Sequence, residues 1–465
     1  MNFLKTAHDQ KKVAVVVATL SCFMGPFMQS SVVVALPAIG LEFQMRPLLL
    51  GWISTSFLLA AAPFMIPFGR LGDIYGRRKI FTAGLVVLLL ATLFIALSHS
   101  GAMIIACRAL QGLSSAMIFS TVFPMLVSAV PLRERGQVLG IATAATYIGL
   151  SIGPFLGGII THHLGWRLIF WFNLMMCITL LAITLFLFKG EKEETTGERF
   201  DLAGAILLGL GILATMYGFS NLPSLQAALT LAAGIGTIIC FVLFELRISS
   251  PLVDIKLFRH NAAFAFSNLA ALINYAATFA VTFLLSLYLQ NVKALTSESA
   301  GLVLVAQPII MALCSPLSGK LSDRIEPRVL ASWGMACTLL GLAMLIFLDA
   351  HSTIAYVVVC LMILGFGFGL FSSPNTNAVM SSVERHAYGV ASATLSTMRQ
   401  TGMTFSMGIV MMVMSLILGR GAITPENPGL FLASMKLSFG IFALMCFLGI
   451  FASLARGNIK RTRRS

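Results

Sequence analysis

Two polar stretches, each lying between hydrophobic runs, carry glycines, a carboxylate and several cations. They are Gly69-Arg70-Leu71-Gly72-Asp73-Ile74-Tyr75-Gly76-Arg77-Arg78-Lys79 and the weaker copy Gly319-Lys320-Leu321-Ser322-Asp323-Arg324-Ile325-Glu326-Pro327-Arg328. Gly69 to Gly319 and Asp73 to Asp323 are both offsets of 250 residues, which reads as two related halves. In such a loop glycines let two helix ends approach closely, the carboxylate can face a helix N-terminus, and the arginines hold the loop on the cytoplasmic side of a membrane. Two more cations, Arg108 and Arg399, stand inside apolar runs. An arginine at the bilayer centre costs about 2.5–3.5 kcal/mol on insertion scales, so it lines a polar cavity, finds a partner or snorkels to the interface. At helical spacing Arg108, Gln111, Gly112 and Ser115 share a face. Arg108 lies about six residues, ~9 Å, from its nearer boundary, which leaves snorkelling open. Arg399, about ten residues deep, reads either as a buried structural partner or as a cavity-lining contact.

The elements that must position these residues are membrane helices. Hydrophobic residues make up 58% of the 465, charged residues only 10%, and mean hydropathy is +0.93; soluble domains carry about 25% charge. At roughly 20 apolar residues per crossing, fourteen spans are expected, near 13–36, 50–69, 80–98, 102–130, 136–161, 166–188, 202–219, 225–244, 262–290, 299–318, 329–348, 353–373, 387–418 and 433–455. The first follows Lys11-Lys12 and reads as a retained signal anchor. The net charge of +14 is distributed by topology. Starting from a cytoplasmic N-terminus, 24 of the 31 Lys/Arg fall in inner loops and tails and five outside (Arg46, Arg167, Lys293, Arg420, Lys436). That positive-inside asymmetry places both termini in the cytoplasm, assigns the basic tail to anionic lipid and leaves no reason for nucleic acid as a partner. All eight cysteines fall in hydrophobic runs without zinc spacing and read as packing residues.

Lys189 to Asp201 and Arg247 to His260 are charged connections flanking spans 7 and 8. The repeat then divides the chain into six spans over 1–189, a two-span insertion over 190–255 and six spans over 256–465. Gly149, Gly153 and Gly157 recur every four residues in span 5, a stripe for close helix packing that alternating access would remake each turn; Pro154 should kink the same span. Gln29, Asn274, Gln307, Asn375 and Asn377 are polar at mid-span depth, with Pro26, Pro63, Pro124, Pro308 and Pro374 in the same spans, a pattern expected of broken or kinked helices around a midplane cavity. With Arg399, these polar residues form the candidate substrate cavity. A membrane enzyme needs converging catalytic groups, and the adjacent His162 and His163 have no acidic residue near them in sequence, so no catalytic set, metal site or cofactor is expected.

The loop from Gly69 through Gly72, Asp73, Gly76, Arg77 and Arg78, with its copy at Gly319, Asp323 and Arg328, resembles the cytoplasmic loop signature of the major facilitator superfamily. Arg108-Ala109-Leu110-Gln111-Gly112 is similar to the superfamily's span-4 string, whose arginine is associated with proton coupling. Gly149, Gly153, Pro154, Gly157 and Gly158 resemble the antiporter motif, which marks exporters more than importers. Six plus two plus six spans resembles the fourteen-span drug:proton antiporter branch. The resemblance implies an all-α polytopic protein of the cytoplasmic (inner) membrane, not an enzyme, monomeric, that exports small amphipathic compounds against protons by alternating access. Arg108, Gln111, Gly112 and Asp73 are then its transport and coupling residues. Proton-coupled uptake, or lipid or metabolite translocation, within the same superfamily is the alternative.

One departure bears on substrate choice. Members of that branch carry an acidic residue and an asparagine in span 1, whereas Met28 and Val33 stand here, and all 17 Asp/Glu fall in loops or at span ends. Arginines alone repel a buried cation strongly at low dielectric. The unmodified protein should therefore export a quaternary-ammonium dye poorly compared with neutral or weakly anionic amphipaths, and Met28→Asp should improve the dye. Vigorous dye efflux by the unmodified protein at matched expression would overturn this expectation.

Overall fold

The computed structural model describes residues 2–130, 135–188, 200–222, 224–248, 252, 258, 261–322, 325–383, 388–418 and 429–456. Asp323, the carboxylate of the second loop copy, lies outside the described residues, as does most of both charged connections. Among the described residues there is no strand, and sixteen α-helices follow one another. They are α1 (Asn2–Glu42), α2 (Pro47–Ala61), α3 (Met65–Tyr75), α4 (Arg77–Ala96), α5 (Gly101–Ser128), α6 (Arg135–Leu164), α7 (Arg167–Phe186), α8 (Leu202–Ser220) and α9 (Leu225–Glu245). After the second connection come α10 (Ala262–Leu287), α11 (Ser297–Leu304), α12 (Ala306–Ser322), α13 (Pro327–Ile346), α14 (Ile354–Ser381), α15 (Tyr388–Ile417) and α16 (Gly429–Leu454). They make fourteen segments long and apolar enough to cross a membrane, as the hydropathy pattern predicts. Helices are the form available to such runs, because the bilayer core offers no water to a backbone N–H or C=O.

Two spans are built from two helices each, and a proline marks both breaks. Pro63 sits in the 3₁₀ turn Ala62–Phe64 between α2 and α3. Pro308 has no N–H for the carbonyl of Leu304, where α11 ends before α12 begins. The other prolines do not end their helices. Pro26, Pro124, Pro154 and Pro374 lie inside continuous α1, α5, α6 and α14. One lost hydrogen bond does not end a helix that neighbours hold on both sides. A π-helical turn, Tyr288–Val292, closes α10 and has no sequence signal of its own.

Helices pack where a glycine removes the side chain from the contact, and these contacts occur in pairs. A methyl group at Gly112 of α5 would fall on the Phe57 carbonyl of α2; at Gly365 of α14 it would fall on the Gln307 carbonyl of α12. Gly149 of α6 lies against the Phe23 carbonyl of α1, and Gly402 of α15 against the Leu272 carbonyl of α10. Gly84 of α4 faces the Ser114 carbonyl of α5, and Gly334 of α13 the Gly367 carbonyl of α14. Gly69 approaches Ser120, and Gly319 approaches Ser373. Each member is displaced from its counterpart by 249 to 253 residues, so the sequence repeat is also a repeat of packing.

The helices α8 and α9 lie outside this pattern. They pack on each other through Leu208, Ile212, Met216 and Phe241, with Leu59, Ala62 and Ile66 beside them. Tyr217 meets Trp52 of α2 at 6.0 Å, and Phe219 meets Phe405 of α15 at 5.2 Å. The cysteines are free; five are buried, Cys314 and Cys337 are half-buried, and Cys240 of α9 is exposed rather than packed.

Gly365→Val should destabilise the folded protein by about 1–3 kcal/mol or more, as overpacking does, whereas Gly209→Ala, where no atom lies within 4 Å, should be neutral or stabilising. Thermal unfolding of both variants in one detergent distinguishes packing against backbone from a general intolerance of side chains at helical glycines.

Candidate functional site

Arg108 points into the protein. Its side chain is 1% exposed, which overturns the snorkelling alternative. Nε donates to the Ile53 carbonyl of α2 at 3.1 Å, and Nη1 donates to Gln111 Oε1 at 2.9 Å. Gln111 Nε2 in turn donates to Thr92 Oγ1 of α4 at 2.8 Å, and the guanidinium lies 4.6 Å from the centre of the Phe57 ring. The shared face of Arg108, Gln111 and Gly112 is real, and it looks onto α2. Gly112 lets α2 approach so closely that the Ile53 carbonyl comes within reach of the arginine. Among the described residues no carboxylate neutralises this cation, so its charge rests on two dipoles and an aromatic face.

The loop signature is a joint between α3 and α4. Gly76 adopts φ 104°, a left-handed conformation that ends α3 and opens α4. Asp73 Oδ1 accepts from Arg77 Nε at 2.9 Å. Its expected place was the α4 N-terminus, but no side chain caps that helix, and the arginine one turn away is the stronger partner. Arg78 Nη2 donates to the carbonyls of Thr184 and Leu185 at 3.2 and 3.1 Å, tying the joint to the end of α7, where the last carbonyls of a helix lack partners. Gly72 seats against Thr121 of α5.

The span-5 stripe packs elsewhere than expected. Gly149, Gly153 and Gly157 of α6 lie against Phe23, Ser30 and Ser31 of α1, another helix of the first six spans. The contact between the two halves is made by the neighbouring face. There, Gly158 meets Ser297 and Glu298 of α11, and the Pro154 carbonyl meets Gly301. Helical geometry separates these faces, because residues one apart point about 100° away from each other. Hydrogen bonds from Ser286 Oγ to the Val33 carbonyl and from Gln290 Nε2 to the Val34 carbonyl, both 3.1 Å, close the same end of the bundle. Val33, where an asparagine is expected, thus contributes its backbone to the inter-half contact. Met28, where a carboxylate is expected, is 2% exposed in the apolar core.

At mid-depth the halves meet around Tyr147 of α6. Its hydroxyl donates to Ser372 Oγ of α14 at 3.3 Å and accepts from Ser315 Oγ of α12 at 3.2 Å. Tyr275 of α10, Met311 of α12 and Phe368 of α14 pack with it, Tyr275 and Phe368 edge to face at 5.1 Å. Arg399 of α15 lies 5.6 Å from the centre of the Tyr275 ring and donates through Nη2 to Thr376 Oγ1 at 2.6 Å; its Nε is buried without a partner. Of the other expected cavity residues, Asn274 and Asn375 are 0% and 1% exposed with both amide atoms unpartnered. Gln307 is buried and Gln29 half-buried. Asn377 belongs to a different contact: it donates to Ser322 Oγ at 2.9 Å and accepts from Ser381, joining α14 to the end of α12. The tyrosines were missed by sequence reasoning, although a phenol within an apolar span is itself a signal, since its hydroxyl needs a partner.

Comparisons with known proteins agree with this arrangement. The Major Facilitator Superfamily pattern matches residues 18–407. The chain is 26% identical over 444 residues to riboflavin transporter RibZ of Clostridioides difficile, covering 95% of this chain and 96% of that protein. It is 32% identical over 387 residues to multidrug resistance protein Stp of Mycobacterium tuberculosis, covering 81% and 71%. Cephamycin export protein CmcT of Amycolatopsis lactamdurans is 31% identical over 412 residues, covering 86% and 84%. In three dimensions the chain resembles nucleoside transporter NupG with a TM-score of 0.65 at 12% identity, over 96% of this chain and 99% of that one. From this match and the fourteen apolar helices, the chain is a multi-pass membrane transporter that belongs to the major facilitator superfamily.

Proposed function

We propose that this transporter exports small neutral or weakly anionic amphipathic compounds in exchange for protons. The observation that carries this reading is the junction at Tyr147, Tyr275, Phe368 and Met311, an apolar and aromatic surface between the halves with Arg399 at its edge. Flexible and aromatic side chains suit loosely specified apolar ligands, and a small number of polar groups orients them. The buried, unpartnered amides of Asn274 and Asn375 and the free Nε of Arg399 fit hydrogen bonds made to a passenger. Arg399 attracts a partial negative charge and repels a cation. Several relatives are exporters by name, cephamycin export protein among them.

In the mechanism we infer, the bundles over 1–189 and 256–465 rock about this junction, with the two-helix insertion over 190–255 riding on α2 and α15. Closure at the end joining α6 to α11 gives one of the two access states. Arg108 acts through position: its bonds to Ile53 and Gln111 lock α2, α4 and α5 together, and an arriving proton or anionic group alters the balance around an uncompensated cation. Asp73, half-exposed and held by Arg77, is the carboxylate nearest to such a coupling step in the first loop. From the positive-inside pattern we infer cytoplasmic termini, and the reading is completed by a monomer in the cytoplasmic membrane. A second reading, passage of one defined metabolite, is favoured by the similarity to RibZ over nearly the whole chain.

Arg108→Ala should abolish transport with membrane insertion intact. Arg108→Lys should also fail, because an ammonium lacks the planar fork that reaches Ile53 and Gln111 together. Efflux from cells, normalised to membrane-inserted protein, checks both. Arg399→Gln should slow efflux of an anionic amphipath about tenfold or more while sparing a neutral analogue, a difference of about 1.4 kcal/mol in recognition. Equal losses for both analogues would make Arg399 structural. Proton exchange is tested in vesicles with an imposed pH gradient, where substrate-driven alkalinisation of the compartment that gains substrate is expected.

A further inference from the structure

The reading of His162 and His163 as lacking an acidic residue holds only along the chain. In three dimensions Glu298, at the start of α11 in the other half, brings Oε2 to 3.1 Å from His163 Nε2. The two imidazole rings lie 4.8 Å apart at 76°, and one donor atom from each of His162, His163 and Glu298 falls within 4.8 Å of the others. We propose that these three residues form a transition-metal site that clips the two halves together at the end of the bundle remote from the chain termini.

The chemistry of the donors fits a borderline divalent ion such as Zn²⁺. Two imidazoles and a carboxylate are a familiar Zn²⁺ set, with ligand bonds of about 2.0–2.2 Å and a fourth position open to water. Tetrahedral geometry then needs donors about 3.4 Å apart, so the side chains must draw together on binding. The surroundings favour a cation. His162 and His163 lie in the last turn of α6, at the negative end of its dipole. The nearby acid of α1, Glu42, is already engaged by Arg167 and Trp166. The side chains of His163 and Glu298 are 58% and 42% exposed, so an ion can enter from water. The site also sits beside a close approach between the halves, where Gly158 meets the backbone of Ser297 and Glu298. Its ligands come from both sides of that contact, so an ion bound by all three holds this end shut. Separation of α6 from α11 must break a metal bond, and bound metal inhibits turnover by whichever substrate the protein carries.

The test uses the full chain purified in detergent and Zn²⁺ as the probe. Titration calorimetry should find one Zn²⁺ per chain, with affinity reduced at least about tenfold by Glu298→Gln and by His163→Ala, the lower end of what loss of even an outer-sphere partner costs. Spin labels on the exposed ends of α6 and α11 should show Zn²⁺ collapsing the distance distribution to its short component in the unmodified protein, with no such effect in Glu298→Gln. This readout does not depend on knowing the substrate, so it fails or succeeds separately from the export reading. Absence of stoichiometric binding overturns the proposal. Undiminished binding by Glu298→Gln also overturns it, because the ion would then sit on one half alone.

Discussion

Close backbone contact at glycines is the constraint on which the rest of this structure depends. Lipid tails are as apolar as leucine, so helices gain little from hiding hydrophobic side chains from lipid; they associate by packing, and packing improves where no side chain intervenes. Gly112 against Phe57, Gly149 against Phe23 and Gly84 against Ser114 assemble the first half, and Gly365, Gly402 and Gly334 repeat the pattern in the second. The functional groups follow from these contacts. Arg108 reaches the Ile53 carbonyl because Gly112, one turn further along the same face, brings α2 against α5.

Polar groups are distributed in two ways. Some are linked into a network: Arg108, Gln111 and Thr92 form a chain of hydrogen bonds across three helices of one half. Others lack partners: Arg399, beside Tyr275, has a buried free Nε, and the side-chain amides of Asn274 and Asn375 are unpartnered. A buried unpaired amide costs free energy, so such groups persist where something other than stability uses them. The Tyr147 hydroxyl joins the halves through Ser315 and Ser372 in a bond that opening would break.

The two faces of α6 illustrate how one motif serves two purposes. The stripe Gly149, Gly153 and Gly157 fastens α6 to α1 within its half, while Gly158 and the Pro154 carbonyl face α11 across the boundary. The same boundary carries His163 and Glu298, whose hydrogen-bonded contact is exposed to water.

Much of this was legible without coordinates. Fourteen apolar runs, the 250-residue repeat, the depth of Arg108 and the glycine spacing in α6 are local or periodic properties, and a helix in a bilayer preserves them because its hydrogen bonds are internal. What each feature faces was decided by tertiary structure. Sequence alone placed Arg108 between snorkelling and burial, and packing of α2 decided for burial. Pro63 and Pro308 interrupt their spans while Pro26, Pro124, Pro154 and Pro374 do not, a difference set by neighbours and not by the ring. Asn377 turned to Ser322 and away from the central junction, and Glu298 came to His163 from 135 residues away. Periodicity names the residues on one helix face, but the helix opposite that face depends on how all the segments pack together.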